Sequence, residues 1–161
     1  MMKALIVYDS VFGNTEQIAQ AMGKGLGAPD QVQVLKVDAV QPQQLMGLEL
    51  LIVGSPTRAF RPTPAITKLL KAIPANGLSG ARVAAFDTRI PADHPETPGL
   101  LRFMVKLFGY AAKPIADKLQ SKGGKLALPP EGFFVQGTEG PLQDGELERA
   151  SEWARQLLVE S

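Results

Sequence analysis

Short apolar runs that alternate with helical patterns set the fold class of this 161-residue chain. Ala4-Leu5-Ile6-Val7-Tyr8 is apolar without a break, as a central strand buried on both faces requires. Ile18, Met22 and Leu26 then recur every four residues, the spacing of one helix face. Gly23, Gly25 and Gly27 are expected to end that helix. Val32, Val34 and Val37 predict a second strand, residues 50–53 a third and residues 83–86 a fourth. Between the last two, Ile66, Leu69, Leu70 and Ile73 form a helical stripe that Pro74 stops. Residues 98–122 read as helix with a break at Gly109 and Pro114. Residues 126–128 and 133–135 predict a fifth strand interrupted by Pro129-Pro130. The final helix places Leu147, Ala150, Trp153, Ala154, Leu157 and Leu158 on one face. Asp144 is its expected N-cap, with Glu146 and Glu148 near its positive end. Five strand–helix units predict a single α/β domain over residues 1–161, with a three-layer, doubly wound, five-stranded parallel sheet.

The composition narrows the chemistry. The chain has no cysteine, so disulfides, thiolate metal sites and thiol nucleophiles are excluded. His94 is the only histidine, which leaves little for a zinc site or a His-Asp relay. It lies in a polar loop and is expected at the surface. The N-terminal apolar run is too short for a signal peptide or a membrane span, which predicts a cytoplasmic protein. Residues 1–130 carry 15 Lys+Arg against 9 Asp+Glu, whereas residues 131–161 carry 2 against 7. That describes a basic body with an acidic last helix. Basic clusters interleaved with aromatics are absent, so nucleic acid is not an expected partner.

In a doubly wound sheet, ligands sit beyond the carboxyl ends of the strands. After the first strand comes Ser10-Val11-Phe12-Gly13-Asn14-Thr15, leading straight into a helix. Backbone N–H groups at a helix start have no intrahelical partner, and the helix dipole favours an anion there. Ser10, Asn14 and Thr15 add short side-chain donors, and Gly13 lets the backbone curl closely. The loop contains no Lys or Arg, so it suits a phosphate monoester held by hydrogen bonds. Read alone, it serves equally as a strand–helix turn with Asn14 or Thr15 as N-cap. It is neither a Walker loop nor a G-x-G-x-x-G turn.

This loop resembles the phosphate motif of the flavodoxin family, at the place the family has it. Gly54-Ser55-Pro56-Thr57 resembles the family's flavin-contacting loop after strand three. Asp87-Thr88-Arg89 resembles the loop after strand four, and residues 140–153 resemble the closing segment. The resemblance implies strand order 2-1-3-4-5, non-covalent FMN and electron transfer between redox partner proteins, a reductase and an acceptor. It implies cofactor contacts from Ser10, Val11, Phe12, Gly13, Asn14, Thr15, Pro56, Thr57, Arg58, Ala59, Phe60, Asp87, Thr88 and Arg89. No residue is expected to be catalytic in its own right. An FMN-dependent NAD(P)H:quinone-type reductase and a flavin-free interaction domain of the same fold stay open as alternatives.

The ring end departs from the family pattern. Flavodoxins usually hold the isoalloxazine between two aromatics; here Arg58 stands where the first is often found, and Phe60 is the nearest substitute. Arg58, Arg61 and Arg89 are expected around the ring mouth. A cation beside a reduced, negatively charged ring favours reduction by about 1–4 kcal/mol, from water-like to surface-like screening. The trio therefore predicts a potential less negative than that of a typical flavodoxin.

Overall fold

The computed structural model describes residues 3–27, 31–57, 61–91, 99 and 110–158. Its centre is a parallel sheet in the order β2-β1-β3-β4-β5, with β6 also paired to β4. β1 (Ala4–Tyr8) lies between β2 (Val32–Lys36) and β3 (Leu50–Pro56), and β3 pairs with β4 (Arg82–Arg89). β5 (Lys125–Leu126) and β6 (Glu131–Phe134) occupy one edge in succession. β5 meets Arg82 and Val83, whereas β6 meets residues 86–89, so Pro129-Pro130 separates two halves of one interrupted fifth strand. Proline cannot donate to a ladder, and at an edge that loss is tolerated.

The unbroken apolar runs have two faces to fill. Ala4, Ile6 and Tyr8 of β1 join Ile18, Met22, Ala150, Trp153 and Leu157, beneath α1 (Asn14–Leu26) and α4 (Glu146–Gln156). Leu5 and Val7 join Ile66, Leu70, Ile115 and Leu119, beneath α2 (Pro64–Ala72) and α3 (Ala112–Ser121). Each fully buried Leu or Ile side chain contributes about 1.5–3 kcal/mol. Trp153 packs edge-on to Phe133, and Phe133 edge-on to Phe86, with centroids 6.2 and 6.1 Å apart. Trp153 is thus a core residue, as its helical stripe predicts.

Several boundaries differ from expectation. Gly23 and Gly25 lie inside α1, and only Gly27 caps it. A Cβ on Gly25 would sit 2.5 Å from the Ser151 carbonyl oxygen, so this glycine lets α1 pack closely on α4. Val37 leaves β2 for a short 3-10 turn (Val37–Ala39). Pro114 is the third residue of α3, where no intrahelical N–H is needed, and Gly109, the other expected break point, lies outside the described residues. The N-cap of α4 is Gly145, not Asp144. Leu147 and Leu158 face outward at 41% and 45% exposure. The last boundary concerns the site itself. Both β3 and β4 run past their apolar segments, so Gly54-Ser55-Pro56 and Asp87-Thr88-Arg89 are strand, not loop.

Candidate functional site

Period-two alternation along the extended β4 sorts its polar tail. Val83 and Ala85 face α2 and α3, while Ala84 and Phe86 face α1 and α4. Asp87 and Arg89 therefore share the α3 side, and Thr88 turns to the α1 side. The hydrogen bonds follow this division. Thr88 Oγ1 lies 2.8 Å from Thr15 Oγ1 in the first turn of α1. Asp87, with no exposed surface, accepts the Ala112 N–H at 2.9 Å and two bonds from Arg89, at 2.6 Å (Nε) and 2.8 Å (Nη2).

These contacts explain how α3 begins. Its N-cap position is Ala111, which has no side-chain acceptor to offer. Thr57 Oγ1 accepts the Ala111 N–H at 3.2 Å, and Asp87 accepts the next one. The first N–H groups of a helix are thereby satisfied from the ends of β3 and β4. Burial pushes the Asp87 carboxyl above its ordinary range. The hydrogen bonds and charge of Arg89 and the Ala112 N–H oppose that rise without cancelling it.

At the other end, Ser10 Oγ accepts the N–H groups of Gly13 at 3.1 Å and Glu16 at 3.4 Å, and Asp9 Oδ1 accepts the Ser10 N–H at 2.9 Å. Gly13 is the N-cap of α1, with φ 92°, a conformation that favours glycine. Neither Asn14 nor Thr15 is the cap: both are helical, and the Asn14 amide instead donates to the Glu139 carbonyl at 3.2 Å. Gly140, with φ 101°, presses on that amide; a Cβ there would lie 2.6 Å from Asn14 Oδ1. Among the described residues, the backbone N–H groups of Asn14 and Thr15 have no acceptor. The Ser10 hydroxyl also keeps its own hydrogen to donate.

A cavity of about 220 Å3 opens between the two ends. Ser10, Val11, Phe12, Asn14, Thr15, Pro56, Thr57, Thr88 and Arg89 line it, as the sequence leads one to expect, together with Ile90, Val135 and Thr138. The last three are absent from the sequence-based set. Val135 and Thr138 follow the carboxyl end of the interrupted fifth strand, and that topology is the signal that points to them. Gly13 shapes the loop without lining the cavity. Asp87 does not line the cavity: its carboxylate is turned into the protein and bonded to Arg89 and the start of α3. Arg58, Ala59, Phe60 and His94 lie outside the described residues.

The expected trio of ring-mouth cations also changes. Arg61 is exposed and does not line the cavity. Arg89 lines it but is ion-paired with Asp87, so its charge is largely cancelled at short range. Arg89 therefore brings little net charge to the cavity to raise a potential.

Among the described residues, the donor set at the Ser10 end fits a phosphate monoester: unpaired N–H groups at a helix N-terminus, a hydroxyl with a hydrogen to donate and no side-chain cation. A flavodoxin family model matches residues 6–153. No protein of curated function matches the chain. Among solved structures, oxidised Flavodoxin 1 from Bacillus cereus is similar at TM-score 0.74 and 18% identity, over 97% of each chain. A flavodoxin from the domain Archaea is similar at 0.72 and 23% identity, over 97% of this chain and 96% of that one. The rubredoxin oxygen:oxidoreductase of Desulfovibrio gigas is similar at 0.69 and 22% identity, over 96% of this chain but 35% of its own.

Proposed function

The chain belongs to the flavodoxin family, whose members bind FMN and carry electrons, and from that premise we propose that it shuttles electrons from a reductase to an acceptor protein. FMN supplies one- and two-electron chemistry, and the chain holds and shields it. Ser10, Asn14 and Thr15 would take the phosphate. Pro56, Thr57, Thr88 and Arg89 would meet the ring, with Arg58, Ala59 and Phe60 expected beside them. The observation that carries this reading is the pair of N–H groups on Asn14 and Thr15 that, among the described residues, have no acceptor at the cavity. Such groups are costly to leave unbonded in a partly closed site, and a phosphate satisfies them.

Titration of flavin-free protein with FMN and with riboflavin, followed by flavin fluorescence, tests the reading. Charge-assisted hydrogen bonds contribute about 1.5–3 kcal/mol each, so FMN is expected to bind at least about tenfold tighter. Equal affinities would remove the phosphate site. The carrier role is tested by offering the FMN-loaded protein NAD(P)H and a quinone. No turnover without an added reductase is the expected result, and rapid turnover by the protein alone would favour a quinone-type reductase.

A further inference from the structure

The segment after β6 is built as a hairpin. Val135 pairs with Leu142 in an antiparallel bridge. The Gln136 N–H donates to the Pro141 carbonyl at 2.8 Å, and the Gln143 N–H to the Phe134 carbonyl at 2.9 Å. The tip, Gly137-Thr138-Glu139-Gly140, is a tight turn closed by the Gly140 N–H on the Gly137 carbonyl at 3.0 Å. Base and tip are each tied to an element that walls the cavity. At the base, the Val135 N–H donates to the Arg89 carbonyl at 2.9 Å. At the tip, the Glu139 carbonyl accepts the Asn14 amide at 3.2 Å. Thr138, unlike its neighbours Gly137 and Glu139, lines the cavity. It is exposed, and its hydroxyl has no hydrogen-bond partner among the described residues.

The side-chain donors on the α1 side are fewer than the loop sequence suggests. The Thr15 hydroxyl is bonded to Thr88 and the Asn14 amide to Glu139, so both are engaged within the protein. Phe12 has no donor on its side chain. The terminal oxygens of a phosphate monoester accept more hydrogen bonds than two N–H groups and the Ser10 hydroxyl provide. We propose that Thr138 is a ligand-contacting residue whose hydroxyl donates to the phosphate of bound FMN, from the hairpin rather than from the Ser10–Thr15 loop. The proposal rests on the FMN reading above and adds a donor from a different element. Asn14 joins the two: its side chain holds the turn, and its backbone N–H has no acceptor among the described residues. A hydroxyl on a pinned turn reaches its acceptor by side-chain rotation alone, so it adds a bond without ordering more backbone.

Riboflavin lacks the phosphate, which makes the test selective. Thr138→Val keeps the branched shape and removes the hydroxyl. It is expected to weaken FMN about tenfold, as loss of one hydrogen bond to a charged group does, and to leave riboflavin affinity within about twofold. The 31P resonance of bound FMN is expected to move in this variant and to return in Thr138→Ser, which restores the hydroxyl. Thr138→Ala serves if the valine variant does not fold; the same FMN-selective loss is expected. Unchanged FMN affinity and 31P resonance in a folded variant would overturn the proposal. An equal loss for both flavins would overturn it too, because it would assign the hydroxyl to a part that the two ligands share or to the hairpin itself. Wild-type protein that binds FMN no more tightly than riboflavin would instead overturn the phosphate reading on which the proposal rests.

Discussion

The hydroxyls of Thr15 and Thr88 meet at 2.8 Å, with both residues buried, and so join the start of α1 to the end of β4. Both residues line the cavity, one from α1 and the other from β4. The bond is therefore a strut between the two halves of the site, and it is buried enough to be measured.

Thr15→Val or Thr88→Val replaces a hydroxyl by a methyl of similar shape and strands the partner's polar atom. Each single variant is expected to lose about 1–3 kcal/mol in urea unfolding of the flavin-free protein. The double valine variant is expected to cost less than the sum, because no hydroxyl is then left unpaired. Strict additivity would show that the two side chains do not interact.

The packing of α1 on α4 depends on Gly25. Alanine raises helix propensity by about 1 kcal/mol, but its Cβ would meet backbone at Ser151. Overpacking of this kind costs about 1–3 kcal/mol. Gly25→Ala is therefore expected to lower the thermal midpoint, whereas propensity alone predicts a rise.

Gly140 and Asn14 couple the closing segment to the phosphate loop. Gly140→Ala strains a backbone at φ 101° and displaces the Asn14 amide. FMN affinity is expected to fall several-fold, while riboflavin affinity moves much less. Parallel titrations of the two flavins read this directly. An equal loss for both would place the effect at the ring end.

Two carboxylates give the stability profile opposite slopes in acid. Burial raises Glu146, but hydrogen bonds from Arg149 and the Phe134 N–H, with the charge of Arg149, outweigh it and hold the carboxyl below its usual 4.5. Its stabilisation is present above that value and is lost as pH falls through the depressed folded pKa. Asp87 is raised, so its linkage stabilises below 3.8 and is lost as pH climbs through the raised folded pKa. Glu146→Gln is expected to be less stable than wild type at pH 7 and to converge on it as pH falls through the depressed folded pKa of Glu146. Urea midpoints across the acid range check this. A constant gap at every pH would show that Glu146 contributes by packing alone.

The helices and strands were legible because their sequence patterns report burial directly. A parallel strand covered on both faces must be apolar throughout, and a helix covered on one face must repeat every three to four residues. The loop from Ser10 to Thr15 was legible for a related reason: a helix start directly after such a strand exposes N–H groups, and short polar residues mark it. The polar ends of β3 and β4 were not. Asp-Thr-Arg after an apolar run reads as loop, because composition does not show that neighbouring elements will satisfy buried polar side chains.

The sequence by itself therefore determined the α/β order, the two faces of the core and the segments that reach the carboxyl edge of the sheet. These follow from local spacing. Only the tertiary structure decided that Asp87 caps a helix which begins 25 positions later, and that Arg89 is its ion pair and not a free cation. It also brought Val135 and Thr138 to the cavity. Those outcomes depend on which groups meet across the sheet and at its ends. A buried polar group takes whatever partner the assembled fold presents, and spacing along the chain does not encode that partner.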